Sequence, residues 1–121
     1  MNDYELISSV IFEYYEGYLT KDRERLEGAF CMGIATMVGY WKNEEGKQEL
    51  YSLPIQEEID DWVSPEHETF NFGEGKITSI HVFSADGATV TFDCGGRFWD
   101  AFQMVKIDGV WKIANKFFVD Q

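Results

Sequence analysis

The segment FWDAFQMVKIDGVWKIANKFF, from Phe98 to Phe118, limits what this chain can fold into more than any other. Two runs rich in aromatic and β-branched residues flank Asp108-Gly109. That dipeptide suits a type I′ turn, which needs positive φ at both central positions. The pattern predicts two long antiparallel strands in tight register, so the rest of the chain must extend that hairpin at its edges and cover its apolar face.

The preceding residues supply both. Asn2 or Asp3 caps a helix predicted from Tyr4 to about Lys21, with Leu6, Ile7, Val10, Ile11, Tyr14, Tyr15, Tyr18 and Leu19 on one wide face. Asp22 opens a shorter helix to Phe30. A hairpin is expected from Ile34–Trp41 and Glu49–Leu53 around a turn at Gly46. Pro54 then starts a third helix, where its missing N–H costs nothing. In that helix Ile55, Ile59, Trp62 and Val63 face inward, and Gln56, Glu57, Glu58, Asp60 and Asp61 face out. After a polar loop from His67 to Gly75, strands Lys76–Ser84 and Thr89–Cys94 lead into the closing hairpin. The order α-α-β-β-α followed by four antiparallel strands is an α+β plan with helices on one face of a strongly bent sheet.

Composition narrows the function classes. At 121 residues the chain is one domain, 1–121, with enough length for its own core. Ten Phe, six Tyr and four Trp imply a bulky core or an aromatic-lined cavity. A net charge of −12 repels polyphosphate, so nucleic acid and anionic membranes are poor partners. Cys31 and Cys94 stand apart without a Cys/His cluster, and His67 and His81 have no ligand-spaced neighbours, so neither a metal nor another cofactor is expected. The N-terminus lacks the pattern of a secretory signal, and no stretch reaches the roughly 20 apolar residues of a membrane span. The expectation is a soluble, reduced, cytoplasmic protein.

The closing motif, running through Asp100, Phe102, Met104-Val105-Lys106, Asp108-Gly109, Trp111-Lys112-Ile113, Asn115-Lys116 and Phe118, resembles the nuclear-transport-factor-2-like (NTF2-like) superfamily. Within it, the motif is similar to the branch called putative lumazine-binding, close to the SnoaL-like and ketosteroid-isomerase-like groups. The resemblance implies a cystatin-like cone: three N-terminal helices packed on a strongly curved, mostly antiparallel sheet. It implies a pocket at the wide end and a homodimer through the outer sheet face. The segment Phe30-Cys31-Met32-Gly33-Ile34-Ala35 departs from relatives that carry a His-Pro-Asp-Ala-like run there, and it has neither His nor Asp.

Strand alternation nominates the site. With Trp111 and Ile113 inward, Asn115 and Phe117 share their face, and Lys112 and Lys116 join Lys106 in a basic stripe outside. With Met104 inward, Phe98, Asp100 and Phe102 follow. A bulge near Gly95-Gly96 would instead turn Trp99, Ala101 and Gln103 inward. On the first parity, Asp100 and Tyr14 are the candidate catalytic pair, an acid with an apolar-pocket phenol, and Asn115, Trp41, Phe98, Phe102, Tyr18 and Trp62 are candidate ligand-binding residues. Three readings follow: a homodimer binding a small hydrophobic or aromatic ligand, an isomerase- or dehydratase-like enzyme acting on a carbonyl compound, and an adaptor dimer whose aromatics fill the cone.

Overall fold

The computed structural model describes residues 1–121. Helix α1 spans Asp3–Leu19, and Asn2 caps it by accepting the Glu5 N–H at 2.9 Å. It ends where Lys21 takes φ 52°. Asp22 then caps α2, Arg23–Ala29, by accepting from the Arg25 N–H. Strands β1 (Thr36–Lys42) and β2 (Gln48–Pro54) form the expected hairpin, and α3 (Ile55–Trp62) follows Pro54 directly. Strands β3 (Lys76–Ser84), β4 (Gly87–Cys94), β5 (Phe98–Ile107) and β6 (Val110–Asp120) make the meander. The helices are therefore the first, second and fifth elements, in the predicted order. None is long and apolar enough to cross a membrane.

All six strands join one curved α+β sheet in the order β2-β1-β6-β5-β4-β3. Its single parallel pair sets Thr36–Val38 of β1 beside Asn115–Phe117 of β6, so the closing strand is central. Asp108 and Gly109 have φ of 50° and 79°, the two positive values the Asp-Gly turn was expected to supply.

The hairpin carries one irregularity with large consequences. Met104 lies opposite Ile113 and Gln103 opposite Asn115, which leaves Ala114 without a partner. This is a β-bulge, and an extra residue inverts the facing of everything beyond it. Trp111 and Ile113 point inward as expected. Past Ala114 the buried residues are Lys116 and Phe118, and Asn115 and Phe117 lie on the other side. On β5 Asp100, Phe102 and Met104 are all buried and Trp99 is 45% exposed, so the parity with Trp99 inward is not adopted.

The bulge also dissolves the outer basic stripe. Lys116 is interior, Lys106 pairs with Asp3 at 3.2 Å, and Lys112 donates to the Gly28 carbonyl. A second correction concerns α3, where Glu58 is buried together with Ile55, Ile59 and Trp62. Gly39, between Val38 and Tyr40, makes room for Phe118, since a Cβ there would lie 2.0 Å from the ring.

Candidate functional site

Between the helices and the inner sheet face lies an open cavity of about 450 Å³. Tyr14 and Tyr18 of α1, Trp62 of α3, Trp41 of β1, Phe98 of β5 and Phe118 of β6 form much of its wall. The rings meet edge to face: Tyr18 on Trp62 at 5.5 Å, Trp41 on Phe118 at 5.0 Å, and Phe98 on Phe118 at 5.4 Å. Such edge-to-face contacts fix the rings against one another. Nine of the twenty aromatic residues line this space, and others, among them Phe30, Phe92, Phe102 and Trp111, fill the core beside it.

Five of the expected residues, Tyr14, Tyr18, Trp41, Trp62 and Phe98, line this cavity. Phe102 does not; it is 1% exposed and packs in the core against Tyr14 and Phe92. Asn115 is turned outward by the bulge and accepts a hydrogen bond from Thr36 Oγ1 at 2.7 Å. Asp100 points inward as expected but is sealed, with no side-chain exposure and no place in the cavity wall.

What reaches the cavity in its stead is Lys116, which sequence reasoning placed outside. Its Nζ lies 3.3 Å from Asp100 Oδ1, and the two side chains are 5% and 0% exposed. It also sits 5.6 Å from the Tyr14 ring centre and 5.1 Å from that of Phe118, within cation–π range. Neither carboxyl oxygen of Asp100 has a hydrogen-bond partner. Burial pushes the Asp100 carboxyl above the ordinary range, with the Lys116 charge pulling the other way. Burial also raises Glu58, aided by Asp61 and countered by Lys116. The Tyr14 phenol stands well above its usual value because it is buried and faces the Asp100 charge.

A second polar group occupies the wall. Tyr18 Oη lies 2.9 Å from His67 Nε2, and His67 Nδ1 lies 3.1 Å from Asp61 Oδ2. The carboxylate of Asp61 accepts only if Nδ1 carries a proton, and in the neutral ring Nε2 then accepts from the Tyr18 hydroxyl. The Phe70 N–H donates to the same phenol oxygen at 3.1 Å. Burial raises the Tyr18 phenol, and the Phe70 N–H acts against that rise. His67 is presented by the loop after α3, which Lys21 anchors through its Nζ to the Ser64 and His67 carbonyls. Tyr18, His67 and Asp61 all line the cavity. No group of three or more His, Cys, Asp or Glu side chains is arranged to hold a metal ion. Cys94 lines the cavity too, but burial drives its thiol far upward, which removes it as a nucleophile.

Helices on one side of a curved six-stranded sheet, with an open aromatic cavity between them, define an NTF2-like protein of cystatin-like fold. The chain belongs to the putative lumazine-binding family, which matches residues 2–119. It is similar to an NTF2-like protein of unknown function from Shewanella baltica OS155, at 25% identity over 98% of this chain and 94% of that one, with a TM-score of 0.78. A second such protein, from Methylobacillus flagellatus KT, shares 26% identity over 98% and 92% of the two chains, also with a TM-score of 0.78. The fold is shared with a ketosteroid isomerase-like protein from Erwinia carotovora atroseptica, at 15% identity over 99% and 98%, with a TM-score of 0.70. No curated protein matches the sequence.

Proposed function

We propose that the protein binds a small, flat aromatic ligand inside the cone. The observation that carries this reading is the open cavity of about 450 Å³, walled by rigid aromatic rings and floored by a buried lysine. Small-molecule sites have this volume, this apolar lining and a few convergent polar groups. The family's description names lumazine, a flat bicyclic heteroaromatic, and such a ring suits these walls. Trp41 and Trp62 line the cavity, whereas Trp99 and Trp111 do not. Titration with lumazine and other flat bicyclic compounds is therefore expected to quench tryptophan fluorescence saturably, and a panel that leaves the emission unchanged removes the reading.

The functional unit is a homodimer through the outer sheet face. Supporting this, Trp99 is 45% exposed there, and a shallow depression of about 280 Å³ runs between Thr89, Ala101, Gln103 and Phe117. Sedimentation velocity should give twice the chain's mass; a single species at the 14.0 kDa of one chain rejects the dimer.

One observation favours a second reading, an isomerase- or dehydratase-like enzyme acting on a carbonyl compound. Tyr18, His67 and Asp61 form a proton path opening on the cavity, and the Lys116 ammonium and Tyr14 phenol are positioned to hold a carbonyl oxygen. This arrangement replaces the earlier pair, in which Asp100 itself was to meet the ligand.

A further inference from the structure

Lys116 is the one buried lysine of the chain, and it is held against an aspartate that is itself poorly satisfied. An ammonium carries three donors, and a buried charge needs a well-aligned partner to offset its lost hydration. Here the ion pair at 3.3 Å leaves both Asp100 oxygens without a hydrogen bond. Lys116 faces the cavity and Asp100 does not. A cationic head group would be repelled at this floor, and an uncharged one could accept a hydrogen bond from the ammonium but would not balance its charge.

We infer that the natural ligand is an aromatic acid whose carboxylate seats on Lys116 and takes the place of Asp100 as its ionic partner; this rests on the binding reading above. The aromatic body lies against Trp62 and Phe118, and the head reaches the ammonium beneath them. Two carboxylates cannot share one buried lysine at low cost, so one must become neutral. Asp100 is the one that yields, because burial already favours its acid form. On binding, the Asp100 carboxylate takes one proton from solvent, and its new O–H becomes a donor. The other titratable groups facing the pair are Tyr14 from α1, Glu58 from α3 and Cys94 from β4. Tyr14 and Cys94, like Tyr15 behind them, are already held protonated by burial, which leaves Glu58 and, on the cavity wall, His67 as rival proton acceptors.

The test is calorimetry near neutral pH with two isosteric probes, 2-naphthoate and 2-naphthamide, each in buffers of different ionisation enthalpy. The acid is expected to bind about tenfold tighter or more, as a charge-assisted contact implies, with uptake of about one proton per ligand. Asp100→Asn mimics the neutral acid, so it should bind 2-naphthoate more tightly than the native protein and without proton uptake. Equal affinity for the two probes overturns the aromatic-acid inference and leaves the binding reading standing. Proton uptake that persists in Asp100→Asn overturns the exchange of partners and assigns the proton to another group of the cavity wall, Glu58 or His67. If neither probe binds, the binding reading fails and takes this inference with it.

Discussion

Lys116→Met and Asp100→Leu are each expected to lower stability by about 3–5 kcal/mol, and the double variant to recover most of that loss. The ions are almost fully buried and meet at 3.3 Å, so each offsets the desolvation of the other. Removing one leaves its partner charged in an aromatic surround, which is the costly state. Removing both replaces an imperfect pair by two apolar side chains of similar length among Tyr14, Phe118 and Phe102. Of the single variants Lys116→Met is the milder, because Asp100 then escapes its charge by taking up a proton. Urea unfolding of the four proteins measures this as a double-mutant cycle. Losses that simply add would show that the two groups are not coupled and that the floor of the cavity is described wrongly.

His67→Gln is expected to slow the exchange of ketone α-protons with solvent by about 100-fold or more, with ligand affinity unchanged. On the enzyme reading, Tyr18 Oη would take the α-proton while passing its own proton to His67 Nε2. The electron pair of the broken C–H bond moves to the carbonyl oxygen, which the Lys116 ammonium holds. Tyr18 would end the step as a neutral phenol, the positive charge resting on the imidazolium, which Asp61 would steady through Nδ1, while the Phe70 N–H keeps the phenol oxygen in place. Glutamine can still accept the Tyr18 hydrogen bond but cannot carry the proton, so a purely structural latch between α1 and the loop would not lose rate on this change. The readout is deuterium incorporation into 2-tetralone followed by NMR. A native protein that gives no acceleration over buffer removes the enzyme reading and leaves ligand binding intact.

The architecture was legible where local chemistry dictates it. The Asp108-Gly109 turn, the Asn2 and Asp22 caps and the Pro54 helix start each depend on two or three adjacent residues, and each appears where the sequence places it. The inward parity of β5 was also readable, because Met104 and Phe102 leave little choice. The facing of β6 beyond Ile113 was not. A bulge at Ala114 is set by how the strand bends over the helices, and nothing about an alanine between Ile113 and Asn115 announces it. Phe117 and Phe118 stand side by side, so the aromatic pattern favours neither facing of this stretch. The Tyr18, His67 and Asp61 group escaped for another reason. Its members come from α1, α3 and a loop, and only the fold of the loop around Ser64-Pro65 brings His67 within reach of both partners. The same fact explains how a chain without His or Asp in its Cys31 segment still presents a hydrogen-bonded Tyr–His–Asp group to the cavity.

The central claim, that the cone is an open binding site for a flat aromatic molecule, is tested most directly by resolving the fluorescence quenching to individual tryptophans. Trp41 and Trp62 border the cavity, while Trp111 is buried in the core and Trp99 lies on the outer face. With lumazine as the titrant, the native protein and a Trp99→Phe variant should both quench saturably, and a variant carrying Trp41→Phe and Trp62→Phe should lose most of the signal. Quenching that survives the loss of Trp41 and Trp62 but disappears with Trp99 would place the ligand on the outer sheet face and contradict the account.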